Sequence, residues 1–350
     1  MEKIKSDKIE SINILKTLAI ILVILGHAAN GFSGGWKFSS INDSEFIKGI
    51  YVYIYSFHMP LFIASSGFLY MEGIIKGKYS NNYEFIKKKF KYLIVPYFIV
   101  AIFFVIPIRL IIGYYENNIS YIILIKNLLI NLFTVRDIGH LWFLPVLFMI
   151  FLIFNLLKIC FFVNKFIVLI VLIIINLLSY YIPGIGIVRL LLQLLIYFYF
   201  GILLRLYYEK LNWQRFDIAI ILVIIQIILL YLNNNIINLR IINNIFVILI
   251  SVVGICIFII LANNICISKC LFTKSRTWRF IYNNGFNMYL FHEPLMYIFM
   301  SVMFDMNILS IIPFLIYIII GVYGTILFIK LIFKIKLIIK EIFLKRVRRN

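Results

Sequence analysis

The sequence predicts an all-α, polytopic integral membrane protein, a helical bundle of about ten transmembrane helices with both termini cytoplasmic. Of its 350 residues, 64% are hydrophobic and only 14% are charged. Many apolar runs therefore reach or approach the length that crosses a bilayer. The 34 lysines and arginines cluster between these runs, mostly on the side that also holds both basic termini. We expect one membrane-embedded domain over residues 1–350, without an appended soluble domain, as a multi-pass protein of the plasma membrane.

The charge pattern argues against nucleic acid as a partner, and the cysteine pattern argues against disulfides. The net charge of +20 would suggest nucleic acid in a soluble protein, but here the basic residues form no single patch with interleaved aromatic side chains. We therefore expect a lipid bilayer and no nucleic acid as partner. The cysteines lie in spans or in segments placed in the cytoplasm, where thiols stay reduced, so no disulfide is expected; they are Cys160, Cys256, Cys266 and Cys270.

The first predicted span, residues 12–31, is an apolar run with two ionisable side chains, Lys16 and His27. Eleven positions separate them, which places both on one face of a helix, about 16 Å apart along its axis. Ionisable residues inside a membrane are usually functional. The alternative is that Lys16 reaches the inner headgroups and His27 is a polar residue at the outer interface. Before this span, Asp7 and Glu10 are expected to cap the helix.

The second predicted span, residues 47–71, is too polar for a helix that faces lipid, and must face protein or a cavity. Pro60 cannot donate to the carbonyl of Ser56, so the helix should open close to His58 and attract a polar partner. A lysine-rich stretch follows, which indicates a cytoplasmic loop. Its lysines are Lys76, Lys78, Lys87, Lys88, Lys89 and Lys91.

The other predicted spans follow from their length and hydropathy. They cover Tyr92 to about Gly113, 140–158, 163–182, 188–204, 216–232, 241–262, a ninth span that contains 285–299, and 308–330.

Residues 119–135 could barely cross a membrane. Their polar side chains fall on one helical face, which favours a helix in the outer interface. A crossing here would also place the two basic termini on opposite sides.

All four histidines, His27, His58, His140 and His292, fall at or inside predicted spans. Burial keeps an imidazole uncharged, so it can take a proton from an alcohol. A purely structural role is the alternative for each, for example an interfacial His140 beside Trp142. A four-histidine metal site would need ligands from four helices without local ligand spacing, and no metal is expected.

His292 and Glu293 are adjacent and therefore point about 100° apart on a helix. We expect two separate polar contacts rather than an acid–base pair.

Five segments in order resemble the acyltransferase-3 family of integral membrane acyltransferases, and most closely its fucose 4-O-acetylase-related branch. The resemblance covers nearly the whole chain. The segments are NILKTLAIILVILGH (13–27), SFHMPLFIASSGFLY (56–70), KKKFKYLIVPY (87–97), HLWFLPVLF (140–148) and NMYLFHEPL (287–295).

The resemblance implies an O-acyltransferase, most often an O-acetyltransferase, that moves an acyl group from cytoplasmic acyl-CoA to a hydroxyl of a cell-surface or envelope glycan. It implies no permanently bound cofactor, with acetyl-CoA or another short acyl-CoA as donor and an envelope polysaccharide or lipid-linked glycan as acceptor. The family's first-helix motif matches at Lys16 and His27, the catalytic residue. This chain has Asn13 and Thr17 where relatives often have Asp and Gly.

The other candidate residues divide into a donor side and an acceptor side. Acyl-CoA would be bound by Lys16, Lys88, Lys89 and Lys91, although relatives have two arginines where this chain has Lys89 and Tyr92. Supporting residues on the acceptor side would be His58, Ser66, His140, Trp142, His292 and Glu293.

Two rival functions come from other classes. The first is a transporter or flippase for a glycan or small solute, with the histidines as a proton relay. The second is a structural or sensory membrane protein whose polar helices serve only packing. Transport would be favoured by chains of intramembrane carboxylates or by inverted repeats, and the sequence shows neither.

Overall fold

The computed structural model describes residues 2–34, 37–38, 44–115, 121–158, 164–182, 186–235, 239–268, 270–306 and 308–347; Cys160 lies outside them. All regular secondary structure in these ranges is helical, so the predicted all-α fold class is confirmed. The main helices are α1 (Glu2–Asn30), α2 (Glu45–Tyr55), α3 (His58–Ile75), α4 (Asn82–Ile111), α5 (Tyr121–Thr134), α6 (Phe143–Leu156), α7 (Lys165–Ser179), α8 (Gly186–Tyr207), α9 (Phe216–Asn235), α10 (Arg240–Ser268), α11 (Arg276–Met303), α12 (Ile311–Ile319) and α13 (Thr325–Val347).

Within the described ranges, 8 helices are long and apolar enough to cross a membrane. They coincide with the first four, the sixth to eighth and the tenth of the predicted spans. The two remaining spans correspond to α7, which has only 15 residues, and to α11, which has 28 residues but a more polar sequence. The chain is therefore a polytopic helical membrane protein, while the number ten and the cytoplasmic termini stay predictions.

The chain divides into two compact units. Unit 1 comprises Met1–Ala19 and Val52–Cys270, and unit 2 comprises Ile20–Tyr51 and Leu271–Asn350. In unit 1, α3 and α8 meet at Gly67 and Gly201, where an added Cβ would overlap the carbonyl oxygen of Phe198 or Ala64. Glycine is required at both positions because the two backbones touch, a common way of packing helices in membranes.

The second span is interrupted as expected from Pro60. Helix α2 ends at Tyr55 and α3 begins at His58. The hydroxyl of Ser251, on α10, donates to the carbonyl of Ser56 at 2.7 Å. That carbonyl is the one for which Pro60 has no N–H, so the polar partner predicted for it is present.

Two expectations about helix starts are wrong. Helix α1 begins at Glu2, so Asp7 and Glu10 lie inside it and are not caps. The lysines of 87–91 lie in α4 and not in a loop, because the side chain of Asn81 accepts from the N–H groups of Tyr83 and Glu84 and starts the helix there.

Three π-helical turns occur in the described helices. In α4 they span Phe90–Ile94 and Ala101–Val105, and each ends two residues before a proline, Pro96 or Pro107. A proline removes one N–H from the helix ladder, which explains both turns. The third, Ile320–Gly324, joins α12 to α13 and is followed by no proline.

Candidate active site

Two of the four histidines meet in unit 2. His27 lies in the last turn of α1, and His292 lies in the middle of α11. Their ring centroids are 5.2 Å apart, with an angle of 57° between the planes. His27 is half-buried and His292 is fully buried, with 0% of its surface exposed. Two imidazole rings that are in contact and buried to this extent can share a proton or pass it on.

The hydrogen bonds of His292 determine its tautomer. Its Nδ1 lies 3.0 Å from the carbonyl oxygen of Met288 and 2.8 Å from that of Tyr289. A carbonyl oxygen only accepts, so Nδ1 carries the proton and donates it. In the neutral ring, Nε2 therefore has the lone pair that can accept a proton.

Glu293 takes part in a different contact from that of His292. Its Oε1 accepts a hydrogen bond from the hydroxyl of Tyr297 at 2.8 Å, and only 1% of Glu293 is exposed. The two neighbours thus face different partners, as the 100° offset predicts. Tyr297, one turn after Glu293, was not a sequence candidate, although its spacing from the buried carboxylate was a usable signal.

A third segment of unit 2 packs against both histidine-bearing helices. A Cβ placed on Gly321, in the third π turn, would lie 2.6 Å from Ile24 Cγ2 and 3.0 Å from Met296 Sδ. Ile24 precedes His27 by three residues and Met296 follows His292 by four, so both belong to neighbouring turns of the same helical faces. The π turn therefore lies beside the histidine pair.

The lysines predicted to bind the donor come together in unit 1. Lys89 is close enough to Lys16 and Lys88 for their charges to interact, and its Nζ lies 3.7 Å from the centre of the Phe151 ring. Within the part of the chain that the structure describes, no carboxylate lies within ion-pair distance of these three lysines. Lys91, two residues beyond, is exposed. A cluster of cations without acidic partners can bind phosphate groups.

His58 and Ser66 lie on α3 in unit 1. His58 is buried, and its Nδ1 donates to the carbonyl of Ile54 at 2.9 Å while its ring faces Tyr55 at 4.7 Å. Its neutral Nε2 can therefore accept a proton. Ser66 is half-buried on the same helix.

His140 and Trp142 lie in a 3₁₀ turn, Gly139–Trp142, at the start of α6. His140 is buried, and Trp142 contacts Phe143 at 6.3 Å between ring centres. Just before them, the backbone of Val135 and Asp137 has φ angles of 58° and 47°. Residues other than glycine rarely adopt this left-handed conformation.

Arg109 stabilises this strained loop and was missed as a sequence candidate. It is 1% exposed, and its guanidinium donates to the backbone oxygen of Asp137 at 2.6 Å and to Oδ1 at 3.1 Å. Burial raises the pKa of Tyr114 to about 12, so its hydroxyl stays protonated and donates to the same Oδ1 at 3.2 Å. An arginine near the end of an apolar span was the available signal.

The described residues contain no group of three or more His, Cys, Asp or Glu side chains that could hold a metal ion. No disulfide joins Cys256, Cys266 and Cys270.

Comparison with known protein families gives a match over most of the chain. The model of the acyltransferase 3 family, described as an acyltransferase domain, matches residues 9–330. Neither the comparison with curated proteins nor that with solved structures gave a match.

Proposed function

The chain belongs to the acyltransferase 3 family, and from this premise we propose that it transfers a short acyl group, acetyl first, from cytoplasmic acyl-CoA to a hydroxyl of a cell-surface or envelope glycan. The family and the apolar helices make it a membrane acyltransferase. We propose acyl-CoA as the donor and a glycan as the acceptor. We also propose the plasma membrane as the location and the fucose 4-O-acetylase-related branch as the part of the family to which the chain belongs.

The contact between His27 and His292 is the observation that carries this proposal. Acyl transfer to an alcohol needs a base that takes the hydroxyl proton as the oxygen attacks. In our proposal His27 is that base, and the neutral His292 beside it receives or returns the proton. Glu293 and Tyr297 hold the neighbouring turn of α11 in place.

The reaction is balanced without a further reactant. The acceptor oxygen attacks the thioester carbonyl carbon while its proton moves to the imidazole of His27. The tetrahedral intermediate then expels CoA thiolate, which takes that proton and leaves as CoA thiol. If His27 carries the acyl group itself, the same proton balance holds over two steps.

The cation cluster of unit 1 supports a CoA donor. CoA carries phosphate groups, and Lys16, Lys88 and Lys89 supply positive charge with no carboxylate at ion-pair distance among the residues that the structure describes. We include Lys91, which is exposed on the same helix as Lys88 and Lys89, among the donor-binding residues. Helix α1 continues from Lys16 to His27 without a break, so one helix bears a residue of each role.

For the acceptor side we propose polar residues of each unit. In unit 1 they are His58, Ser66, His140 and Trp142, and in unit 2 they are His292 and Glu293. Hydroxyl-rich glycans are bound by such hydrogen-bonding and aromatic side chains.

The test is acyl transfer by the purified protein in detergent. Acetyl-CoA and a panel of envelope glycans are supplied, CoA thiol release is followed over time, and the acylated product is identified by its mass. We expect release that depends on the acceptor. A protein that moves the glycan across vesicle membranes but never acylates it would instead be a transporter.

A further inference from the structure

Thr325 is the most unusual buried polar residue near the histidine pair. It is 0% exposed, and its Oγ1 has no hydrogen-bond partner among the described residues. A buried hydroxyl nearly always has a partner, so an exception needs an explanation. In an ordinary helix a threonine hydroxyl can donate to the carbonyl four residues earlier, as Thr17 and Thr134 do here.

The π turn Ile320–Gly324 explains why Thr325 lacks that local bond. Thr325 is the first residue after the turn, and its backbone N–H donates to the oxygens of Ile320 and Val322. The regular series of backbone hydrogen bonds from each N–H to the carbonyl four residues earlier is therefore interrupted at Thr325. Since no proline follows this π turn, its cause differs from that of the two turns in α4, and π turns often occur at functional sites.

Two contacts place Thr325 opposite the site. Gly321 packs on Met296, and the rings of Phe328 and Phe291 lie 5.3 Å apart. The segments run in opposite directions, so interpolation between these pairs places Thr325 opposite residues 292–294 of α11. Residues 321, 325 and 328 also share one helical face, so the Thr325 side chain is on the face that packs on α11.

A second unpartnered hydroxyl is a weaker candidate. Tyr317 is 1% exposed and its hydroxyl also lacks a partner among the described residues. Its ring lies beside Gly31, where Met300 also packs, two turns of α11 beyond His292. Thr325 is therefore the hydroxyl nearer to the histidine pair.

We propose that Thr325 is a catalytic residue whose hydroxyl donates a hydrogen bond to the carbonyl oxygen of the transferred acyl group. When the acceptor oxygen attacks, the carbonyl π electrons move to that oxygen and the negative charge forms beside the Thr325 hydroxyl. When the C–S bond breaks, the electron pair on this oxygen re-forms the carbonyl π bond and the negative charge leaves on CoA thiolate. The donor is set before the reaction and needs no rearrangement to stabilise this charge.

This role of Thr325 rests on the proposed function. It predicts that removal of the hydroxyl lowers the activity without lowering the stability. Thr325→Val keeps the shape and removes the hydroxyl, so kcat should fall by about 10² while KM for acetyl-CoA changes little. Because the lost hydroxyl had no partner, the melting temperature should not fall. Thr325→Ser, which keeps the hydroxyl, should restore most of kcat.

The matched control is Thr134→Val, which removes a hydroxyl that donates to Ile130 O at 2.7 Å in its own helix; its kcat should equal that of the wild type. The measurement is CoA thiol release by the purified full-length variants, together with their melting temperatures. An active wild type with an equally active Thr325→Val variant would overturn the role of Thr325 alone. So would a loss of kcat that accompanies a lower melting temperature and is not restored by serine. A wild type without acyl transfer would overturn the proposed function and this role with it.

Discussion

Replacing His27 and His292 by glutamine, singly and together, tests whether the pair acts as one unit. Their rings are 5.2 Å apart, and Nδ1 of His292 is engaged by two carbonyls. Glutamine keeps a hydrogen-bonding group of similar size but cannot take a proton near neutral pH. If both rings handle the same proton, the loss of either one should stop the same step.

The expected magnitudes separate a shared role from independent ones. A general base contributes about 10² to 10⁴ in rate, or roughly 2.7 to 5.5 kcal/mol of transition-state stabilisation. Independent residues would multiply their effects, so the double variant would lose about 10⁴ to 10⁸. Residues that act as a unit are not additive, and we expect the double variant to be as active as the weaker single variant.

The assay is CoA thiol release by purified protein with excess donor and acceptor. Ser301→Ala, on the same helix as His292, is the control, because its hydroxyl donates to Ile298 O at 2.9 Å within that helix. The melting temperature of each variant shows whether the fold is retained. Near wild-type turnover of His27→Gln, or multiplicative losses in the double variant, would refute the reasoning.

Three further predictions concern unit 1 and the membrane orientation. Lys16→Ala should raise the apparent KM for acyl-CoA and leave kcat nearly unchanged, while Lys16→Arg should retain the cation and much of the affinity. An unchanged KM in the alanine variant would exclude donor binding by Lys16. Ser251→Ala should lower the free energy of unfolding by about 0.6 to 2 kcal/mol, because the carbonyl of Ser56 loses its partner; equal melting curves would show that this bond does not contribute. Single cysteines in a cysteine-free background should react with an impermeant maleimide on intact cells at Lys126 but not at Ser80, and the reverse pattern would contradict both termini being cytoplasmic.

The sequence by itself determined the fold class and most helix positions. Apolar runs of bilayer length lead to helices because a backbone in lipid must satisfy its own hydrogen bonds. The break near His58 and the need for a polar partner at the Ser56 carbonyl followed from Pro60 alone, since proline has no N–H. Helix starts were harder, because a local cap such as Asn81 can extend a helix into a polar, lysine-rich stretch.

The composition of the site was decided only by the tertiary structure. Four histidines in four spans were visible in the sequence, but the contact between His27 and His292 depends on how α1 and α11 pack. The same holds for Arg109 on Asp137 and for Thr325 beside the π turn. A transmembrane helix is apolar on nearly all sides, so its hydropathy pattern does not show which face meets protein and which meets lipid. Close contacts between small residues and single hydrogen bonds make that choice, and they exist only once the helices are packed.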